Sequence, residues 1–445
     1  MSSRRVVITG LGPVSPIGNG VAEYWNALLE ARCGVRRIAA FDPSGFESQI
    51  AGEIDGIKVG DFVPRSYRKA GKIMARDIVL AVAAAYHAVK DAGINTRCLV
   101  ERGEAEAANV DSTRLGVNIG AGLICADLSE LAEALYAGVE DGRFSLKKWG
   151  AEGMNNLTPL WLLKFLPNML ACHVTIVHDA RGPSNTITCG EASGHLAVGE
   201  AFRQIQRGAA DVAICGGAES KDNPMALIRQ ALPGRLSRRN DQPERACRPL
   251  AADRDGTVAS EGGGLLVLED LEHAKARQAR IYAEVVGFGA SNDAARPSPV
   301  SPPDGSGAGL ALALRKALRD AGLGSEAVDL VSLFACGLKE HDAAEARAVA
   351  EVLGPRTSEV PAVAIKGLMG NNGAGSGALD LIAAVLALYH GTVPPSANTQ
   401  PLDEVCRLRV VADGPTDARI ETVLSGAYAL GGGQNAALVL RRYRD

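Results

Sequence analysis

The apolar positions of this chain fall into two periods that alternate along it. Arg5–Gly10 (RVVITG) is a short β-branched run that ends in glycine, and Arg114–Gly120 (RLGVNIG) and Asp211–Gly216 (DVAICG) have the same form. Each is predicted to be a strand. Between them the period lengthens to that of a helix. In Asp77–Ala92 the residues Ile78, Val82, Ala85 and Val89 share one face, and in Ala192–Arg207 so do Val198, Phe202 and Ile205. The short strand Asn185–Thr188 opens directly into that second helix. This βαβα order predicts mostly parallel strands covered by helices.

The second half repeats the pattern. A helix over Ala308–Ala321 runs into a strand at Asp329–Phe334. A strand at Ala362–Lys366 is followed by a glycine-rich turn, Gly370–Gly377, and a helix, Ala378–Leu388. Each half thus places a sharp turn before a buried helix, whose N-terminal amides are expected to be free for a ligand. The economical reading is an α/β chain with an internally duplicated, layered α/β/α fold. The expected halves are 1–270 and 271–445, divided after the strand Leu265–Glu269. No Pro/Ser linker separates them, so they are expected to pack as one body.

Composition narrows the class. Hydrophobic residues make up 47% of the 445 positions, enough for a large core and too many for a disordered chain. The formal net charge of −4 argues against nucleic acid as the main partner. Apolar stretches such as Leu381–Tyr389 fall short of the roughly 20 residues that cross a bilayer, and Val6–Thr9 is too short for a signal-peptide core. The nine cysteines are scattered without a CxxC pair, so no metal site is expected and the thiols are expected to be reduced in the cytoplasm.

Several longer segments carry a resemblance. RRVVITGLGPVSPIG at Arg4–Gly18, FDPSG at Phe41–Gly45 and IAGEI at Ile50–Ile54 come first. RGPSNTIT at Arg181–Thr188, GEAFRQIQRG at Gly199–Gly208, RPLAADRDGTVASEGGGLLVLE at Arg248–Glu269 and RIYAEVVGFG at Arg280–Gly289 follow in order. Together they resemble the β-ketoacyl synthase family of the thiolase-like superfold, over essentially the whole chain. The resemblance implies substrates carried on the phosphopantetheine of an acyl carrier protein, with no further cofactor and no metal. It also implies a Cys–His–His site. A thiolate at a helix N-terminus is acylated, and two imidazoles stabilise the enolate formed on decarboxylation.

This chain departs at each of those positions. Aligning ITCGEASGHLAVGEAF (Ile187–Phe202) without gaps puts Glu191 where the nucleophile belongs, with Cys189 two residues earlier. The first histidine loop is replaced by LFACGL (Leu333–Leu338). The second histidine is replaced by Asn371, although Lys366 is retained. LGGGQN (Leu430–Asn435) puts Gly431 in place of a bulky gate residue. The pattern is similar to one branch of the family, the chain length factor or ketosynthase β-subunit of type II polyketide synthases. That branch pairs with a catalytic ketosynthase α-subunit as a heterodimer and shapes the acyl tunnel across the interface. It typically has Gln at the nucleophile position, where this chain has Glu.

Single residues allow more than one reading. Glu191 is either a favourable helix-N-terminal carboxylate, worth roughly 0.3–1 kcal/mol, or a working group at the former acylation site, for example in decarboxylating a malonyl carrier. Cys189 is a strand cysteine, or the nucleophile of a stand-alone acyltransferase or cyclase. His341 reaches inward as a base or starts a solvated helix beside Glu340 and Asp342. His195 reads as a core or interface histidine. Asn371 donates toward an oxyanion or simply tolerates a left-handed turn. Leu128, Leu131 and Leu135 share a helical face as tunnel-lining candidates or as ordinary core.

Overall fold

The computed structural model describes residues 4–293 and 305–444. Five strands build the first half: β1 (Val6–Ser15), β2 (Leu115–Ala121), β3 (Ser184–Ile187), β4 (Val212–Ser220) and β5 (Ala259–Asp270). They lie in the order β3-β2-β4-β5-β1. The second half supplies β6 (Ala283–Asn292), β7 (Leu330–Ser332), β8 (Pro361–Val363), β9 (Arg409–Val410), β10 (Thr422–Tyr428) and β11 (Gln434–Arg441). Their order is β9-β8-β7-β10-β11-β6.

The duplication is legible in the pairing directions. In the first half β2 is parallel to β3 and β4, whereas β5 is antiparallel to both β4 and β1. In the second half β7 is parallel to β8 and β10, whereas β11 is antiparallel to both β10 and β6. The same directions recur in the same order, with β9 as an added edge. The expectation of mostly parallel strands is therefore corrected. The centre is antiparallel: β11 returns from β10 through a short turn, and β5 pairs antiparallel with β4 after a longer connection that carries the helix Pro224–Ala231.

The longest helices are α1 (Arg76–Asp91), α2 (Leu128–Ala137), α3 (Met169–His178), α4 (Ser193–Gln206), α5 (Ala308–Asp320), α6 (Lys339–Leu353) and α7 (Ser376–His390). Helix α1 lies on β1, and α5 lies on β6 at the matching place in the repeat. Small residues make these contacts close. A Cβ at Gly12 would sit 2.0 Å from the Ala84 carbonyl on α1, and one at Gly289 would sit 2.1 Å from the Ala313 carbonyl on α5.

Helices α4 and α7 form the middle layer and touch each other. A Cβ at Gly194 would fall 2.9 Å from the Ala374 carbonyl. Every residue from Ser376 to Leu388 is buried. An 18-residue window, Gly373–His390, is long and apolar enough to cross a membrane, which the sequence reading did not anticipate. It is 89% buried inside the protein and serves as the core helix. The turn that leads into it is tied down by side chains. Gly373 N–H donates to Asn371 Oδ1 and Ala374 N–H donates to Glu219 Oε2.

Candidate active site

The site forms where β3 turns into α4. Gly190 takes a left-handed φ of +55°, which lets the chain reverse within three residues. Ser193 pins the turn: its Oγ accepts the Cys189 N–H at 2.8 Å and donates to the Gly190 carbonyl at 2.6 Å. Glu191 is thereby turned inward and is 5% exposed.

The Glu191 carboxylate has two partners. Oε1 accepts from Lys221 Nζ at 2.9 Å, and Oε2 accepts the Leu430 N–H at 2.9 Å. Burial works against the charged form, but Lys221 and the Leu430 amide outweigh it and hold the carboxyl at about 2. The Leu430 carbonyl is held as well, by Arg235 at 2.9 Å and by His341 Nε2 at 3.2 Å. Glu191 therefore ties the C-terminal loop to the turn.

His341 reaches inward, not to solvent. It is 6% exposed, stacks on Tyr428 with centroids 6.1 Å apart, and burial lowers its pKa. Its Nε2 is committed to the Leu430 carbonyl, and among the described residues no hydrogen bond joins it to Cys189 or Glu191. Cys189 is half-buried, and burial pushes its thiol up, the opposite of an activated nucleophile.

Phe334 occupies the altered histidine loop. Its ring lies 3.8 Å from Lys366 Nζ and packs edge-on against Tyr428 at 5.0 Å. Lys366 is ion-paired with Asp380, and both are buried. The loop's own amides are satisfied from below. Phe334 and Ala335 donate to Glu345 at 2.7 Å each, and Cys336 donates to Asp342 at 2.9 Å.

Asn371 is 2% exposed, and its Oδ1 accepts from Gly373 N–H and Ser376 Oγ, both at 2.9 Å. It caps its own turn. The left-handed positions there belong to Gly370 and Gly373, at φ +76° and +74°, not to Asn371. His195 is a core histidine, bonded through Nε2 to Ser425 Oγ at 2.9 Å, and burial lowers its pKa to about 3.

A cavity of about 310 Å³ opens beside Glu191. Gly431 lines it, together with Glu219, Lys221, Cys125 and Gln230. Lys221 and Glu219 were missed by sequence reasoning. The strand was expected to end at Gly216, but it runs on to Ser220 and carries Glu219 into the site, with Lys221 directly after it. A lysine and a glutamate flanking the end of a glycine-rich strand (GGAESK) were the available signal. The basic segment Arg229–Arg239 is largely spoken for: Arg238 pairs with Glu47 at 2.6 Å and Arg239 with Asp253 at 3.1 Å. Among the described residues no three His, Cys, Asp or Glu side chains are grouped to hold a metal ion.

The tunnel candidates lie on the surface. Leu128 is 44% and Leu135 39% exposed, and Leu131 is half-buried. Leu123, Tyr136, Leu146 and Leu160 are also exposed apolar residues, at 63–79%. These residues are therefore not ordinary core.

This thiolase-like scaffold, with its strand–turn–helix site, defines the class. Residues 3–274 match the N-terminal domain of β-ketoacyl synthases and residues 282–400 match the C-terminal domain, so the chain belongs to the β-ketoacyl synthase family. It is 35% identical to 3-oxoacyl-[acyl-carrier-protein] synthase 2 of Coxiella burnetii (strain RSA 493 / Nine Mile phase I), with 100% of both chains covered. It is 34% identical to the granaticin polyketide putative beta-ketoacyl synthase 1 of Streptomyces violaceoruber, with 99% of each covered. Among solved structures, the ishigamide ketosynthase/chain length factor superposes with a TM-score of 0.83 at 32% identity, covering 100% of both chains. A ketosynthase in complex with its type II polyketide acyl carrier protein, AntDE:AntF, superposes with a TM-score of 0.82 at 26% identity, again with 100% of both chains covered. The chain is thus a ketosynthase-family protein of the kind found in type II polyketide and fatty acid synthesis.

Proposed function

We propose that this chain is a chain-length-factor-like β-subunit, catalytically silent in condensation, that pairs with a ketosynthase α-subunit. The observation that carries the reading is the Glu191–Lys221 ion pair at the acylation position. A carboxylate cannot form the thioester that condensation requires, and this one is held ionised and hydrogen-bonded to the loop that closes over it. Neither histidine of the family site has a replacement imidazole. Phe334 fills one position, and Asn371 at the other is turned into its own backbone.

Two surface features support a partner. Among the described residues strand β3 is paired along its β2 edge alone, which leaves its other edge unpaired. The apolar surface around Leu128, Leu135 and Tyr136 is the kind that a stable partner covers. In this reading the partner closes a tunnel over Leu128, Leu131 and Leu135. The acyl carrier protein delivers chains on phosphopantetheine, in the cytoplasm. Co-expression with a Cys–His–His ketosynthase is expected to yield a 1:1 complex. Purification as an active homodimer would defeat the proposal.

A further inference from the structure

A second cavity, of about 560 Å³, opens at the opposite end of α7 from the acylation position. The helix has 15 residues, so about 20 Å separates this cavity from the turn at the helix N-terminus. Its walls are the C-terminal ends of α1 and α7, the start of the helix Val21–Leu29, and the segment that enters β6. It has no part in the proposed subunit role.

Aromatic residues are only 4% of the chain, yet three of them join His390 here in one row. Trp25 stacks on His390, with centroids 5.1 Å apart and planes 15° apart. His390 meets Tyr389 edge-on at 5.2 Å, and Tyr389 meets Tyr282 edge-on at 5.0 Å. Trp25 and Tyr282 are buried, whereas Tyr389 and His390 are exposed. The row thus has a packed floor and an open rim, which gives a flat guest ring faces and edges to lie against.

Two imidazoles in the cavity lack a partner. Among the described residues neither His87 nor His390 makes a side-chain hydrogen bond. Gly20 takes a left-handed φ of +83° beside His87, and a Cβ there would stand 3.5 Å from Nδ1. Glycine therefore leaves that nitrogen open to the cavity. Burial lowers the pKa of both imidazoles below the ordinary value, so near pH 7 each carries one N–H donor and one acceptor nitrogen.

Charge excludes two classes of guest. Lys90 donates to the Tyr86 hydroxyl and to Glu104, both at 3.1 Å, and Arg280 donates to Asp91 Oδ1 at 2.5 Å. Each cation already has its carboxylate, so an anion finds no unpaired charge. The Arg280 guanidinium lies 4.5 Å over the Tyr282 ring, so the cation–π position there is taken and an organic cation is repelled. What remains is a flat, uncharged guest whose polar groups both donate and accept. A phenolic hydroxyl does both. The volume lies within the range of small-molecule sites.

We propose that this cavity is a second ligand site that takes an uncharged planar phenol of two or three fused rings. The rings lie against the row from Trp25 to Tyr282, and the hydroxyls bond to His87 and His390. The site is separate from the acylation position, so it stands or falls independently of the subunit role.

The test is calorimetry on the purified protein, with any subunit that co-purifies, using 2,7-naphthalenediol, its dimethyl ether and 2-naphthoate. The diol is expected to bind saturably at one site per chain. It should bind at least tenfold more tightly than the ether, which keeps the rings but cannot donate, and at least tenfold more tightly than naphthoate. His87→Phe, which keeps a ring without nitrogens, is expected to bring the diol to within twofold of the ether. His390→Ala is expected to weaken both compounds at least fivefold, because it removes a stacking ring as well as a hydrogen-bonding group. His390 is exposed, so that variant serves should His87→Phe fail to fold. Fluorescence supplies a further readout. Saturating diol is expected to quench the wild type more than twice as strongly as Trp25→Phe, in which Trp149 and Trp161 remain. Equal affinity for diol and ether, tighter binding of naphthoate, or unchanged diol affinity in both histidine variants would overturn the assignment. So would the absence of saturable binding, or displacement of the diol by an acyl-pantetheine, which would move it to the acylation position.

Discussion

Replacing Lys221 with methionine removes the cation that makes Glu191 tolerable. The two side chains are 7% and 6% exposed, so water cannot substitute for the lost partner. Glu191 is held at about 2, against an ordinary value of 4.5. At 1.36 kcal/mol per unit, that gap corresponds to about 3 kcal/mol of stability. Breaking one side of a buried pair costs about 3–5 kcal/mol, which agrees. The sign follows from linkage. A depressed carboxyl contributes stability that is fully present above pH 4.5 and is lost as pH falls through about 2. Without Lys221 the Glu191 pKa rises, so the deficit of Lys221→Met should be largest near pH 7 and shrink toward pH 4. Urea unfolding of the wild type, Lys221→Met, Glu191→Gln and the double variant closes a thermodynamic cycle. The coupling expected at pH 7 is about 2–3 kcal/mol. A coupling below about 0.5 kcal/mol, or a deficit that does not change with pH, would refute the reasoning.

The other predictions are more local. Phe334→Ala should cost about 3–5 kcal/mol in urea unfolding, because the ring is fully buried against Lys366 and Tyr428. Glu191→Cys should become reactive to iodoacetamide, because Lys221 favours a thiolate there. It should still not condense acyl groups in a radiolabelled malonyl assay, because Phe334 and Asn371 stand where the two family histidines would, and His341 is committed to the Leu430 carbonyl. His195 stays neutral in the fold down to about 3, whereas the unfolded chain takes up a proton near 6.5. Its contribution is therefore present above pH 6.5 and declines as pH falls. The advantage of wild type over His195→Gln should shrink by about 1.4 kcal/mol per pH unit between pH 6 and pH 4 in paired denaturation curves.

Periodicity located the strands and helices around both turns because each element buries one face. It could not supply strand direction. The runs Leu265–Glu269 and Asp211–Gly216 are apolar in the same way, whether their pairing is parallel or antiparallel. Register with the family motifs was enough to place Glu191 at the elbow and to mark the missing imidazoles. What Glu191 does there was not legible, because its partners lie 30 and 239 residues away in sequence. Single-residue patterns also misjudge context. His341 sits between Glu340 and Asp342, a polar string that reads as solvated, yet it packs on Tyr428 beneath the C-terminal loop. Leu128 and Leu135 have the spacing of core residues yet lie on the surface at 44% and 39% exposure, because periodicity fixes a shared helix face and not what packs on it.

The most direct test of the central claim is intact-mass analysis of the chain purified with its co-expressed ketosynthase, after incubation with an acyl-pantetheine thioester. A 1:1 complex is predicted in which the acyl mass appears on the ketosynthase and none on this chain. An acyl adduct on this chain that disappears in Cys189→Ser would contradict the account, as would condensation by this chain alone.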